Sequence, residues 1–122
     1  MAEKLVLKPS AQHPITIEPL GRRVVVEVAG RTVADSSNAI VLREASYPPA
    51  IYIPREDAHM GLLKHSDHSS YCPFKGDATY FDIPSGGERS KNAVWTYEMP
   101  YDAVAQIKGH LAFYPDRVDA IR

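Results

Sequence analysis

Apolar positions along this chain recur mostly in short β-type runs. Arg23-Val24-Val25-Val26-Glu27-Val28 is rich in β-branched residues and reads as a strand. Ala29-Gly30 separates it from Arg31-Thr32-Val33-Ala34-Asp35, and a two-residue link ending in glycine predicts a hairpin. Before that pair, the alternation Ile15-Thr16-Ile17 begins an earlier strand. After it, Asp35-Ser36-Ser37-Asn38 is turn chemistry. Ala39 to Arg43 is the next strand, Tyr47-Pro48-Pro49 breaks it, and Ala50 to Ile53 is another. Ala78 to Ile83 and Ala93 to Tyr97 are predicted to pair as a hairpin across a flexible turn, Pro84 to Arg89. Leu111 to Tyr114 is a further strand, and Val118 to Ile121 adds a short one.

Two segments depart from this pattern. Pro54 opens Arg55 to Leu63, whose first turn is acidic, and this predicts a short helix. Ala103 to Gly109 predicts a second, with Val104 and Ile107 on one face and Gly109 as its stop. Lys64 to Ser70 reads as a polar loop. The expected fold is therefore mainly β, with mostly antiparallel sheets and two short helices. Residues 1–13 are weakly patterned and are expected to form a peripheral lead-in to a single domain over residues 14–122.

Composition narrows the function classes. The chain has 122 residues, 44% of them hydrophobic and 24% charged, enough for a core without disulfides or a structural metal. A net charge of −1 gives no global field to attract nucleic acid or an anionic membrane, so neither is expected as a partner. A single cysteine forms neither an internal disulfide nor a Cys-pair zinc site. With no signal-like apolar stretch in Met1 to Pro9 and no membrane-length apolar run, a cytoplasmic location is expected.

Three blocks carry the distinctive chemistry: Tyr52-Ile53-Pro54-Arg55-Glu56-Asp57, Cys72-Pro73-Phe74-Lys75-Gly76-Asp77-Ala78-Thr79-Tyr80 and Asn92-Ala93-Val94-Trp95-Thr96-Tyr97. In that order they resemble the DUF427 family, small proteins of unknown function, from about Ile15 to about Asp119. The resemblance implies a compact β-fold of the β-tent type, shared with some methionine sulfoxide reductases and small zinc proteins. It implies no established activity. The nucleotidyltransferase label sometimes attached to the family does not fit this chain, which has no Asp-x-Asp pair for a metal and no Gly-x-x-x-x-Gly-Lys phosphate loop. The paired cysteines that clamp zinc in β-tent relatives are absent, so packing must hold that end.

Cys72 is either a nucleophile, with Lys75, His68 and Arg55 to favour its thiolate, or a small buried hydrophobe. His59, His65, His68 and Asp67 are ligand types without a metal-binding spacing, so neither a metal nor a cofactor is assigned. Arg55 and Lys75 are cations that either hold a ligand's carboxylate or phosphate or pair with nearby acids. Asp57 is a candidate acid. Tyr52, Tyr71, Tyr80, Trp95 and Tyr97 form an aromatic set, with Trp95 and Tyr97 on one strand face. The blocks are expected to converge on one pocket for a small anionic or aromatic metabolite. Two alternatives stay open: a Cys72-dependent enzyme, and a homodimeric interaction domain pairing through a strand edge.

Overall fold

The computed structural model describes residues 4–122, so the first three residues of the expected lead-in lie outside it. The fold is mainly β, built from three antiparallel sheets. One sheet orders β1 (Ile15–Pro19), β4 (Ile40–Glu44) and β5 (Ala50–Tyr52). A second places β2 (Val24–Val28) between β10 (Ala120–Ile121) and β3 (Arg31–Ser36). The third runs in chain order through β6 (Lys64–Cys72), β7 (Gly76–Asp82), β8 (Val94–Thr96) and β9 (Leu111–Phe113). Among the described residues, no helix is long and apolar enough to cross a membrane.

The four-stranded sheet is apolar on both faces, and period-two alternation divides its side chains between two clusters. Phe81, Val94, Leu111 and Phe113 join the valines of β2 and Val33 of β3 in the first cluster. Ala78, Tyr80 and Ala112 join Leu42, Tyr52, Tyr97, Val104 and Ile107 in the second. Full burial of each such side chain is worth about 1.5–3 kcal/mol, so both clusters contribute substantially. Reciprocal bonds of 2.8 Å between Ile53 and Leu111 tie the end of β5 to β9 and link two of the sheets.

The β2–β3 hairpin forms as its sequence predicts. Ala29 and Gly30 have φ of 52° and 75°, the type I′ pattern that matches strand twist. Alanine is costly there, and the Asp119 carboxylate, accepting from the Ala29 N–H at 2.6 Å, braces it. β7 and β8 pair antiparallel, as expected of that hairpin.

The expected helical segments are both present, wound as 3-10 turns. Arg55–Asp57 and Met60–Leu62 flank an extended Ala58, and Asp102–Ile107 forms the other. The first segment is divided because the His59 N–H donates to the Val33 carbonyl at 2.7 Å and Ala58 bridges to Ala34. An open backbone edge on β3 thus competes with α-helix. Two expectations are corrected. Lys64 to Ser70 is not a loop but most of β6, an edge strand exposed along most of its length, where polar side chains cost nothing. The Pro84 to Arg89 turn is packed rather than flexible: Ser90 at its end is buried, its hydroxyl donating to the Arg117 carbonyl at 2.7 Å.

Thr79 and Thr96 face each other across β7 and β8, and both hydroxyl oxygens are buried without a hydrogen-bond partner. An unsatisfied buried hydroxyl costs about 1–3 kcal/mol. The double variant Thr79→Val/Thr96→Val should therefore be as stable as the parent or gain up to about 2 kcal/mol in urea unfolding. A loss above about 1 kcal/mol would show instead that a bridging water satisfies the pair.

Candidate functional site

The second cluster opens to the surface in a recess of about 230 Å³ between β4–β5 and β7–β8. Its walls are phenols and an indole. Tyr52 ends β5, Tyr80 comes from β7, and Trp95 and Tyr97 project on the same face, as their spacing predicts. Tyr114, just beyond β9, lies against Trp95 with ring centroids 4.4 Å apart. Tyr52 meets the same indole edge-on at 6.1 Å and accepts a hydrogen bond from its Nε1–H at 3.1 Å. Tyr47, 62% exposed, stands at the rim.

The charged end of the recess is built on the turn between β6 and β7. Gly76 has a φ of 108°, a conformation that side-chain-bearing residues rarely adopt, so the turn needs glycine. The Tyr101 N–H donates to the Lys75 carbonyl at 3.0 Å. Held this way, Lys75 is only 8% exposed and its ammonium donates to one oxygen of Glu44. Glu44 closes β4 on the same strand face as Leu42. Its other oxygen bonds His13 Nε2 at 2.7 Å, and the His13 ring stacks on Phe74 at 4.0 Å with 3° between planes. Burial pushes the Glu44 carboxyl up, but the hydrogen bonds from Lys75 and His13 and their charges outweigh it. The carboxyl is held below its usual range.

Burial also pushes the Tyr52 and Tyr97 phenols up, and burial with the neighbouring Tyr80 takes Tyr114 up to about 12. These groups stay protonated near neutral pH and present O–H donors. Tyr52 accepts from Trp95 but donates to no partner among the described residues, although it is only 1% exposed.

Of the candidate residues, Tyr52, Lys75, Tyr80, Trp95 and Tyr97 come together here. Half-buried Cys72 packs against the same cluster, its Sγ 3.7 Å from the Lys75 Nζ. The expected convergence of all three blocks is only partial. Arg55 lines a different hollow, donating to the Gly109 carbonyl at 3.2 Å and pairing with Glu98 at 2.7 Å. Asp57 accepts from the Ser36 hydroxyl at 2.6 Å, bracing the end of β3. Tyr71 lies outside the recess lining and bonds the Tyr101 hydroxyl and the Leu5 carbonyl. Alternation explains the split: the Tyr52 side chain turns to the second cluster, whereas Ile53 beside it turns to the first. Both cations considered for a ligand's anion are thus paired within the chain. His65 and His68 pack edge-on against Phe81 and Tyr80.

Sequence reasoning missed Glu44, His13, Tyr47 and Tyr114. A signal existed for Glu44, because strand parity places it on the face of Leu42. Nothing local marked His13, which reaches Glu44 from 31 positions away.

Comparison with protein families gives a match to NTP_transf_9, a domain of unknown function (DUF427), over residues 16–122. No curated protein matches the chain.

Proposed function

The chain belongs to the DUF427 family, whose function is not established, and from the geometry of its own recess we propose that it binds a small ring-shaped molecule there. The observation that carries this reading is the recess itself, where five tyrosines and the only tryptophan meet one nearly buried lysine in about 230 Å³. Aromatic walls favour a planar ligand by offset or edge-on stacking, worth about 0.5–1.5 kcal/mol per ring beyond the area covered. A few convergent polar groups then fix its orientation. The small volume suits a single substituted ring.

A nucleophilic Cys72 has one contact in its favour, the Lys75 ammonium. No imidazole or carboxylate hydrogen-bonds to the thiol among the described residues, so the binding reading is the better supported.

Trp95 makes the test direct, because the only indole of the chain lies in the proposed site. Titration with a panel of single-ring aromatic compounds should quench or shift its fluorescence saturably. Thermal melts should rise in parallel, since ligand at 100 times its Kd adds about 2.7 kcal/mol. A folded protein whose fluorescence and melting temperature respond to no member of the panel would defeat the reading.

A further inference from the structure

Resting on the recess reading above, we propose that its ligand is an uncharged planar ring bearing hydrogen-bond acceptors, of the aromatic carboxamide or ring-lactam kind. The hydrogen-bond inventory of the site gives the reason. Lys75 is donor-only. One of its N–H groups goes to Glu44, a second faces the Cys72 sulfur at 3.7 Å, and the third has no partner among the described residues. The Tyr52 oxygen already accepts the Trp95 N–H, and its own proton has no acceptor among the described residues. The Tyr97 hydroxyl lines the same recess and has no partner among the described residues. Against these donors stands one carboxylate, Glu44, and each of its oxygens already accepts a hydrogen bond, from Lys75 and from His13. The one charged acceptor of the recess is thus engaged within the protein, whereas these donors are not. A donor that loses water to a bound molecule without gaining an acceptor is costly, so the complementary molecule supplies carbonyl oxygens or ring nitrogens.

Charge decides between a neutral acceptor and an anion. The Lys75 ammonium is already matched by Glu44 inside the site. A ligand carboxylate would have to share that ammonium with a second carboxylate, and two like charges so close repel strongly in a poorly solvated place. A neutral carbonyl takes the same N–H without that repulsion. Size agrees: a recess of about 230 Å³ suits one ring with a short substituent.

Three probes of one shape separate the possibilities: benzamide, benzoate and benzylamine, titrated into the full chain with Trp95 fluorescence as readout. Benzamide should bind tightest, roughly tenfold better than benzylamine, which offers donors only and adds a positive charge. Tyr52→Phe removes one donor and should weaken benzamide by roughly fivefold while leaving benzylamine unchanged. Tyr97→Phe, which disturbs no contact to Trp95, should do the same and serves if the first variant folds poorly. Benzoate or benzylamine binding as tightly as benzamide would overturn the acceptor assignment and leave the recess reading standing. So would unchanged benzamide affinity in folded Tyr52→Phe and Tyr97→Phe. Failure of all three probes to bind would remove the recess reading itself.

Discussion

Lys75→Met should lower the unfolding free energy by roughly 3 kcal/mol and the melting temperature by about 10 °C. The variant keeps the volume of the side-chain stem but strands Glu44, whose side chain is only 12% exposed, with His13 as its one remaining partner. Breaking a mostly buried pair from one side is costly because the surviving charge stays desolvated, not because the pair itself contributes that much. The double variant Lys75→Met/Glu44→Gln should therefore recover more than half of the loss in urea titrations, since no buried charge is left behind. If it is as unstable as the single variant, the damage comes from packing around the turn rather than from Glu44.

The same group gives a pH dependence of defined sign. Glu44's carboxyl is held below its usual value of about 4.5 in the folded chain. Its contribution is fully present above that unfolded value and is lost as pH falls through the lower folded one. Wild-type stability should fall on acidification more steeply than that of Glu44→Gln below about pH 5. The penalty of Lys75→Met should shrink over the same range, because a protonated Glu44 no longer needs the ammonium.

Gly86→Ala should be about as damaging, at roughly 3 kcal/mol or more. A Cβ at this position would lie 2.0 Å from the Ser90 Oγ, 2.6 Å from its Cβ and 2.9 Å from a methyl of Val28. Ser90 cannot swing aside freely, since it is buried and its hydroxyl holds the Arg117 carbonyl. Val28 belongs to the first apolar cluster and has no room to retreat. Gly61→Ala is the control. Its Cβ would meet only the His59 ring at an ordinary 3.6 Å, so it should be neutral or gain about 0.4–1 kcal/mol. Equal stability of the two alanine variants would show that the Pro84–Ser90 turn yields easily.

Gly86 also shows where the sequence was legible and where it was not. Ser85-Gly86-Gly87 reads as a flexible turn because glycine is common there, yet Gly86 is required for close approach to another strand, which only the tertiary fold creates. The β2–β3 hairpin was readable because both its strands and its link are local. Trp95 and Tyr97 were readable as one face because strand parity is local too. β6 was not, since an exposed edge strand has no apolar face to betray it. The recess was half visible: its aromatic residues stand in distinctive blocks, whereas Glu44 ends an ordinary apolar strand and acquires meaning only when Lys75 arrives from 31 residues away. Arg55 and Asp57 stand in equally distinctive blocks, yet they lie outside the recess and bond Gly109 and Ser36. Chemical distinctiveness does not separate a residue that braces the fold from one that lines a cavity.

His13 lies ahead of the family-matched residues, and it supplies one of the two hydrogen bonds to Glu44. A fragment trimmed to residues 16–122 would therefore keep every wall of the recess while altering the electrostatics at its floor. The segment before Pro14 also gives a carbonyl bond at Pro73 and an ion pair at Asp77, so its removal would loosen the turn that carries Lys75. Measurements on such a trimmed fragment, or on a chain with a fusion tag crowding this segment, would describe a recess electrostatically different from that of residues 1–122.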